Sequence, residues 1–291
     1  MPEHPLPPLQ HPTDTAHWTL FYRATETVAA PTTSDTYSQA LLSLKGKNFI
    51  SHFPKAKVHP WSILTRIRSL DEGILNATQN LGVDLVLNLG CGFDTRPYRL
   101  PLPSQLRWID VDFPCLIEEK RSVLAEFPAQ CQIEFVGLDL TQKEKRHHFL
   151  NRLTQSASKI LVLSEGFLVY LPLEEVTSLA KALTIHPHFR YWMLDCPSPL
   201  GLKVANRRWA NSLAKTGSRL QFAPSNRQTF FQKLGWNTKK QSNIIQEAKR
   251  FHLTPTPRWY WRTAAWLLPP SFYLRLSEQN NLLFLERAEL K

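Results

Sequence analysis

The stretch Asp84-Leu-Val-Leu-Asn-Leu-Gly-Cys-Gly-Phe-Asp-Thr-Arg-Pro97 decides the fold. Its first part, Asp84 to Leu89, is a short apolar run that stops at glycine. Such a run, bounded by turn residues, reads as a buried parallel strand. Gly90 and Gly92 then let the backbone approach a ligand with no Cβ in the way. Asp94 or Thr95 is placed to cap the next helix, and Pro97 suits its first turn. A dinucleotide fingerprint would continue Gly-x-Gly-x-x-Gly, the third glycine allowing close helix packing. Here that position is Thr95. The loop therefore suits an adenosyl ligand without phosphates better than a pyrophosphate.

Working outward, further strand candidates follow at α/β spacing: Leu106 to Ile109, Ile133 to Val136, Ile160 to Leu163 and Tyr191 to Leu194. Helical stretches fit between them, at Pro114 to Phe127, Lys143 to Thr154 and Leu173 to Leu183. This alternation predicts an α/β fold with a mostly parallel sheet and helices on both faces. Upstream, Thr36 to Leu44 and Trp61 to Asn80 read as helices, the second with Ile63, Ile67, Leu70 and Ile74 at helical spacing. Downstream, Gly201 to Lys215 and Ser225 to Leu234 read as helices, with Gly235 stopping the second. Asn281 to Glu286 reads as an edge or returning strand. The domain reading is a lead-in at 1–12, a helical cap at 13–80 and a ligand-binding core at 81–291. Within that core, about 200–275 is a basic, aromatic-rich region.

Composition narrows the function classes. Residues 1–12 carry five prolines and lack the basic-then-apolar order of a signal peptide. No stretch reaches the roughly 18 to 20 apolar residues of a membrane span. Cys91, Cys115, Cys131 and Cys196 form no Cys-x-x-Cys pair. That argues against a zinc site and for reduced thiols in a cytoplasmic protein. The net charge of +11 is uneven, with 16 Lys plus Arg against four acids from Gly201 to Lys291. Such an excess suits an anionic small molecule, an anionic membrane surface or nucleic acid, or simply a solvated face. No separate RNA-binding domain or base-methylation motif is visible. Arg258-Trp-Tyr-Trp-Arg262, Trp266 to Pro270 and Ser271-Phe-Tyr273 read as a pocket wall for an apolar or anionic acceptor, a peripheral membrane contact, or packing on the sheet edge.

Acids stand at successive strand ends. Asp110 and Asp112 follow the second strand, about 20 residues past the loop, where carboxylates accept from ribose hydroxyls. Asp139 follows the third, where it can accept from an adenine amino group. The plainer role for each is a helix N-cap. Glu165, in Ser164-Glu-Gly-Phe-Leu-Val-Tyr-Leu171, ends the fourth strand, where a carboxylate can meet a cationic ligand.

Together these residues resemble the leucine carboxyl methyltransferase family, including its bacterial branch of polyketide O-methyltransferases. The matching stretches are Leu89 to Arg96 with Tyr98-Arg-Leu100, Trp108 to Pro114 with Lys120, Asp139-Leu140 and Ser164 to Leu171. Arg66 to Glu72 is similar to the family's arginine-containing helix, and Arg23 to Glu26 to its N-terminal segment. The family usually carries Glu at Asp110 and Thr at Ile67. The resemblance runs from about Arg23 to Asp195. It implies a Rossmann-like methyltransferase fold: a seven-stranded sheet with an antiparallel last strand, under an N-terminal helical lid. It also implies S-adenosyl-L-methionine as cofactor. Arg66 would pair with the methionine carboxylate. Gly90, Cys91, Gly92 and Asp94 would form the loop around it. Asp112, with Asp110, would hold the ribose, Asp139 and Leu140 would flank the adenine, and Glu165 would meet the amino group.

Methyl transfer from a sulfonium is an in-line displacement that rests on alignment and exclusion of water and needs no metal. A carboxylate acceptor is already ionised at neutral pH, whereas a hydroxyl gains from a base. The expected function is O-methylation of a small-molecule acceptor. Tyr170 is the candidate catalytic contact. The alternatives are a cofactor-binding scaffold without catalysis, or a methyltransferase for a protein carboxyl terminus or RNA.

Overall fold

A computed structural model describes residues 15–29, 35–42, 61–155, 157–215, 219–253 and 280–289. The lead-in at 1–12 and the aromatic stretches between 258 and 273 lie outside the described residues. The strands are β1 (Leu85–Leu89), β2 (Arg107–Asp112), β3 (Gln132–Gly137), β4 (Ile160–Ser164), β5 (Phe189–Pro197), β6 (Trp236–Asn243) and β7 (Asn280–Arg287). They form one sheet in the order β3-β2-β1-β4-β5-β7-β6. β1 to β5 run parallel, and β7 is antiparallel to both β5 and β6. This is the expected architecture. The chain steps outward from β1 to β3, then returns to the other side of β1 for β4. That reversal opens a crevice at the carboxyl ends of β1 and β4.

The helices are α1 (Ala16–Ala29), α2 (36–42), α3 (Trp61–Asn80), α4 (Arg96–Arg99), α5 (Pro114–Leu124), α6 (Lys143–Leu153), α7 (Leu173–Thr184), α8 (Pro199–Lys215), α9 (Arg227–Gln232) and α10 (Ile244–Arg250). Every residue of β1 and β4 is buried, because helices cover both faces. Leu85, Leu87, Ile109 and Val162 pack with α6 and α7 on one face. Val86, Trp108 and Leu161 pack on the other, against Leu70 and Ile74 of α3 and Ile244 of α10. α3 comes so close to the sheet that a Cβ on Gly73 would lie 2.9 Å from the Met193 methyl. Leu20 of α1 and Leu41 and Leu42 of α2 pack with Phe93, Tyr98 and Leu116, beside the glycine loop. No helix among the described residues is long and apolar enough to cross a membrane.

Three points left open by the sequence are decided by the sheet and its loops. Asn281 to Glu286 belongs to a returning strand, but not to an edge, since β7 lies between β5 and β6. The edge is β6, which the sequence did not announce. Its Asn-Thr-Lys-Lys-Gln-Ser run lacks apolar alternation, only Trp236 is buried, and the register shifts beside Lys239. Polar residues, lysine and a bulge are how an exposed edge strand avoids further pairing. Of the two cap candidates, Asp94 bonds the start of α4, its Oδ1 accepting from Arg96 N–H at 3.0 Å, while Thr95 stands at the N-cap position with no side-chain cap bond. Its hydroxyl donates instead to Asp35 Oδ2 at 2.5 Å, and Asp35 itself caps α2 through Ser38.

Candidate cofactor and active site

A cavity of about 630 Å³ lies at the carboxyl ends of β1 to β5. Its floor is the glycine loop. Gly90 and Gly92 have φ of +67° and +50°, a region that costs other L-residues roughly 1–2 kcal/mol. At Gly90 a second reason applies: a Cβ there would lie 2.5 Å from the Phe167 ring. Cys91 is buried beside them, and burial, with Asp110 nearby, pushes its thiol well above the ordinary range. The loop is held by Gly90 and Cys91 N–H groups donating to the Val111 carbonyl. Gly92 N–H donates to Asp112 Oδ2 at 2.8 Å, while Asp112 Oδ1 accepts from Phe113 N–H.

Behind the loop runs a chain of buried charges. Glu165 receives three guanidiniums: Arg66 Nε at 3.0 Å, Arg96 Nη1 at 2.6 Å and Arg23 Nη2 at 3.3 Å. Burial alone would raise its pKa. Arg96, Arg66 and Arg23 outweigh burial and hold it at about 2. Asp94 accepts from Arg23 and Arg96 at 2.9 and 2.6 Å and from Asn88 at 3.1 Å. Its carboxyl is likewise held well below the usual range against burial, chiefly by Arg96 and Arg23. Arg96 reaches on to Asp71 on α3, which also takes Arg99. Arg66 donates to Asp195 Oδ2 at 3.1 Å, and Gly166 N–H to Asp195 Oδ1 at 2.5 Å. The network thus ties α1 and α3 to the ends of β1, β4 and β5.

Arg66, Gly90, Cys91, Gly92, Asp94, Asp112, Asp139, Leu140, Glu165 and Tyr170 all line the cavity, as the sequence reading grouped them. Asp110 does not. It sits one pleat, roughly 6–7 Å, back from Asp112 along the strand. Its side chain is fully buried, accepting from Lys120 Nζ at 2.6 Å, Trp108 Nε1 at 2.8 Å and Asn88 Nδ2 at 2.9 Å. It supports the loop from beneath, and only Asp112 reaches the wall. Asp139 is not a helix N-cap, a place that Gln142 takes; its carboxylate closes the turn before α6, accepting from the Thr141 N–H and hydroxyl at 2.9 and 2.7 Å. Tyr170 shares a hydrogen bond with Thr15. Burial raises its pKa above the ordinary 10.0, so it is a neutral phenol at neutral pH.

Sequence reasoning missed Asp195, Arg23 and the segment Arg219 to Gln221. Asp195 was within reach, because it follows the apolar run of β5 as Asp112 and Asp139 follow theirs. Arg219 to Gln221 had no signal. It becomes a wall only because Gln221 N–H donates to the Val169 carbonyl at 2.7 Å, Gln221 Nε2 to the Tyr170 carbonyl at 3.1 Å and Asn206 Nδ2 to the Leu220 carbonyl at 3.0 Å.

The sequence profile of the leucine carboxyl methyltransferase family matches residues 16–184, from α1 to the end of α7. The chain belongs to the leucine carboxyl methyltransferase family. Within curated proteins it is 25% identical over 198 residues to the tetracenomycin polyketide synthesis O-methyltransferase TcmP of Streptomyces glaucescens, covering 67% of this chain and 68% of that one. It is 29% identical over 180 residues to the S-adenosyl-L-methionine-dependent methyltransferase dpfgK of Gibberella zeae, covering 58% and 59%. The chain spans 39% to 68% of the length of the curated relatives it matches first. A DUF574 family protein from Streptomyces avermitilis shares the fold, with a TM-score of 0.57 at 11% identity over 94% of this chain and 97% of that one. The family match ends before Pro197, Leu202, Ala205 and Arg219 to Gln221, which wall the far end of the cavity.

Proposed function

We propose that this member of the family is an S-adenosyl-L-methionine-dependent O-methyltransferase whose acceptor is a small molecule, methylated on a carboxyl rather than a hydroxyl oxygen. The observation that carries the reading is the convergence of the carboxyl ends of five strands on one cavity floored by two left-handed glycines. A loop whose Gly90 tolerates no Cβ, with the Asp112 carboxylate at its edge and Asp139 and Leu140 beyond, suits an adenosyl group. Arg66 spends two of its five donors on Glu165 and Asp195. The others are available beside the cavity for a ligand carboxylate, which a guanidinium holds through both oxygens. The bound cofactor would supply an electrophilic methyl on a sulfonium. The chain's own work is to align the acceptor oxygen with it and to keep water out.

A carboxyl acceptor suits the described lining, in which Asp112 is committed to the Gly92 and Phe113 N–H groups. No histidine lines the cavity among the described residues. Glu165 and Asp94 are held ionised by guanidiniums and are weak proton acceptors at neutral pH. An acceptor carboxylate needs no deprotonation. The far wall is apolar at Leu202, Ala205 and Leu220, with Arg219 beside them, which suits an apolar molecule bearing a negative charge.

Calorimetric titration of the purified chain with S-adenosyl-L-methionine tests the cofactor. Micromolar binding, weakened at least about tenfold by Asp112→Ala and by Arg66→Ala, is expected. Binding indifferent to both changes rejects the assignment. Incubation with labelled cofactor and candidate acids then tests the acceptor. A product that releases methanol in base is a methyl ester, and a base-stable product places the methyl on a hydroxyl.

A further inference from the structure

Arg146 on α6 is among the largest fully buried side chains of the protein, with Arg96 and Lys120. Those two meet buried carboxylates at 2.6 Å. Arg146 does not: its nearest partners are neutral, the Leu140 carbonyl at 2.7 Å from Nη1 and the Ser178 hydroxyl at 2.8 Å from Nη2. Glu175 stands farther off, at 3.5 Å. A buried guanidinium whose ion pair is this loose and whose short bonds go to neutral acceptors is costly, and the methyl-transfer reading above gives it no task.

Its location gives it one. Leu140 and Asp139 form the cavity wall beyond β3, which is the edge strand on that side of the sheet. The wall is fixed on its inner side by Leu138 N–H donating to the Asp112 carbonyl at 2.8 Å. Beyond that Leu140 packs into the core, and among the described residues the side-chain hydrogen bond to this turn from outside it comes from the Arg146 guanidinium. The other arm of the fork holds Ser178 on α7, the helix entered from Leu171, which lines the same cavity. One guanidinium therefore fastens two walls to each other.

We propose that Arg146 is a positioning residue for the nucleoside end of the cofactor site, setting the place of the 138–141 wall and so the affinity for the base and the choice between bases. The inference rests on the cofactor reading above. The test compares wild type with Arg146→Met, Arg146→Lys and Ser178→Ala, all as the full chain. Each is titrated with S-adenosylhomocysteine and with its inosine counterpart, which carries a carbonyl in place of the adenine amino group. Amide hydrogen exchange of the ligand-free proteins is followed alongside.

Arg146→Met is expected to weaken S-adenosylhomocysteine about tenfold and to bring the adenine-to-hypoxanthine ratio close to one. Exchange should quicken at 138–142 while β1 and β5 keep their protection. Arg146→Lys retains a donor for the Leu140 carbonyl and should recover most of the preference. Ser178→Ala should fall between. Unchanged affinity and base preference in Arg146→Met overturns the proposal. So does an equal loss for both ligands with faster exchange across the sheet, which marks a tie between helices and nothing more. If Arg146→Met does not fold, Arg146→Lys and Ser178→Ala decide on the same ratio: a changed ratio supports the proposal, and wild-type ratios in both overturn it. A wild type that binds neither ligand rejects the cofactor reading itself, and this proposal with it.

Discussion

Gly90 illustrates how a single residue can be fixed by two independent demands. Its φ of +67° and the Phe167 ring, 2.5 Å from where a Cβ would stand, both exclude a side chain. Gly90→Ala should cost about 2–4 kcal/mol from backbone strain and overpacking together and abolish cofactor binding. Adding Phe167→Ala should return part of the stability, because it removes the ring but keeps the residue's Cβ, 2.8 Å from the new methyl, and leaves the strain. Urea denaturation of the single and double variants measures both, and full recovery in the double variant would show that φ is unimportant. Arg96 is the other decisive residue. It is fully buried and serves Asp71, Asp94 and Glu165 at once. Arg96→Met removes the shared cation and leaves buried carboxylates short of a partner. A loss of about 3–5 kcal/mol is expected by denaturant titration, whereas a loss under about 1 kcal/mol would mean that Arg23, Arg66 and Arg99 suffice without it.

At the scale of elements, α3 does two things with two faces. Leu70 and Ile74 pack on the sheet, and Arg66 and Asp71 enter the charge network. The two roles should separate by mutation. Ile74→Ala, fully buried, should cost about 2–5 kcal/mol while cofactor affinity in the folded fraction stays near wild type. Arg66→Ala should weaken binding and carry a stability cost of its own, because buried Glu165 and Asp195 each lose a partner. Thermal denaturation beside calorimetric titration reads both quantities. If Ile74→Ala abolishes binding in the folded protein, the helix is not the rigid support described here. The 3.6-residue spacing of α3 was legible in the sequence because one apolar face repeats along 20 residues. The strand β6 was not, because at a sheet edge only Trp236 had to be apolar.

Across the whole molecule, the network couples stability to pH. Glu165 has a folded-state pKa of about 2 against an ordinary 4.5. Its ionised form is therefore favoured by folding, and the folded chain binds fewer protons than the unfolded one between those values. That stability is present in full above about 4.5 and is lost as pH falls toward 2. Asp94 adds in the same direction. Stability measured by urea titration should decline as pH is lowered through this window. Glu165→Gln should start lower at neutral pH, because three guanidiniums lose their shared anion, and should decline less steeply. An identical slope in the variant would place the acid sensitivity elsewhere.

The sequence by itself determined the sheet's central strands, the glycine loop and the row of strand-end acids. Each is a local matter: a run too apolar to face water, a backbone that must be left-handed, a carboxylate at a fixed offset from a strand. It also placed ten residues that do share one cavity. What only the tertiary structure decided was the use of each charge. Asp110 and Asp112 are two residues apart, yet one is sealed under Lys120 and the other reaches the wall. Arg96 and Glu165, 69 residues apart in the chain, meet at 2.6 Å. Arg219 to Gln221 becomes a wall only by bonding to Val169 and Tyr170. These outcomes depend on which distant groups share the same low-dielectric space, where an unpaired charge is expensive, and that sharing exists only once the chain has closed.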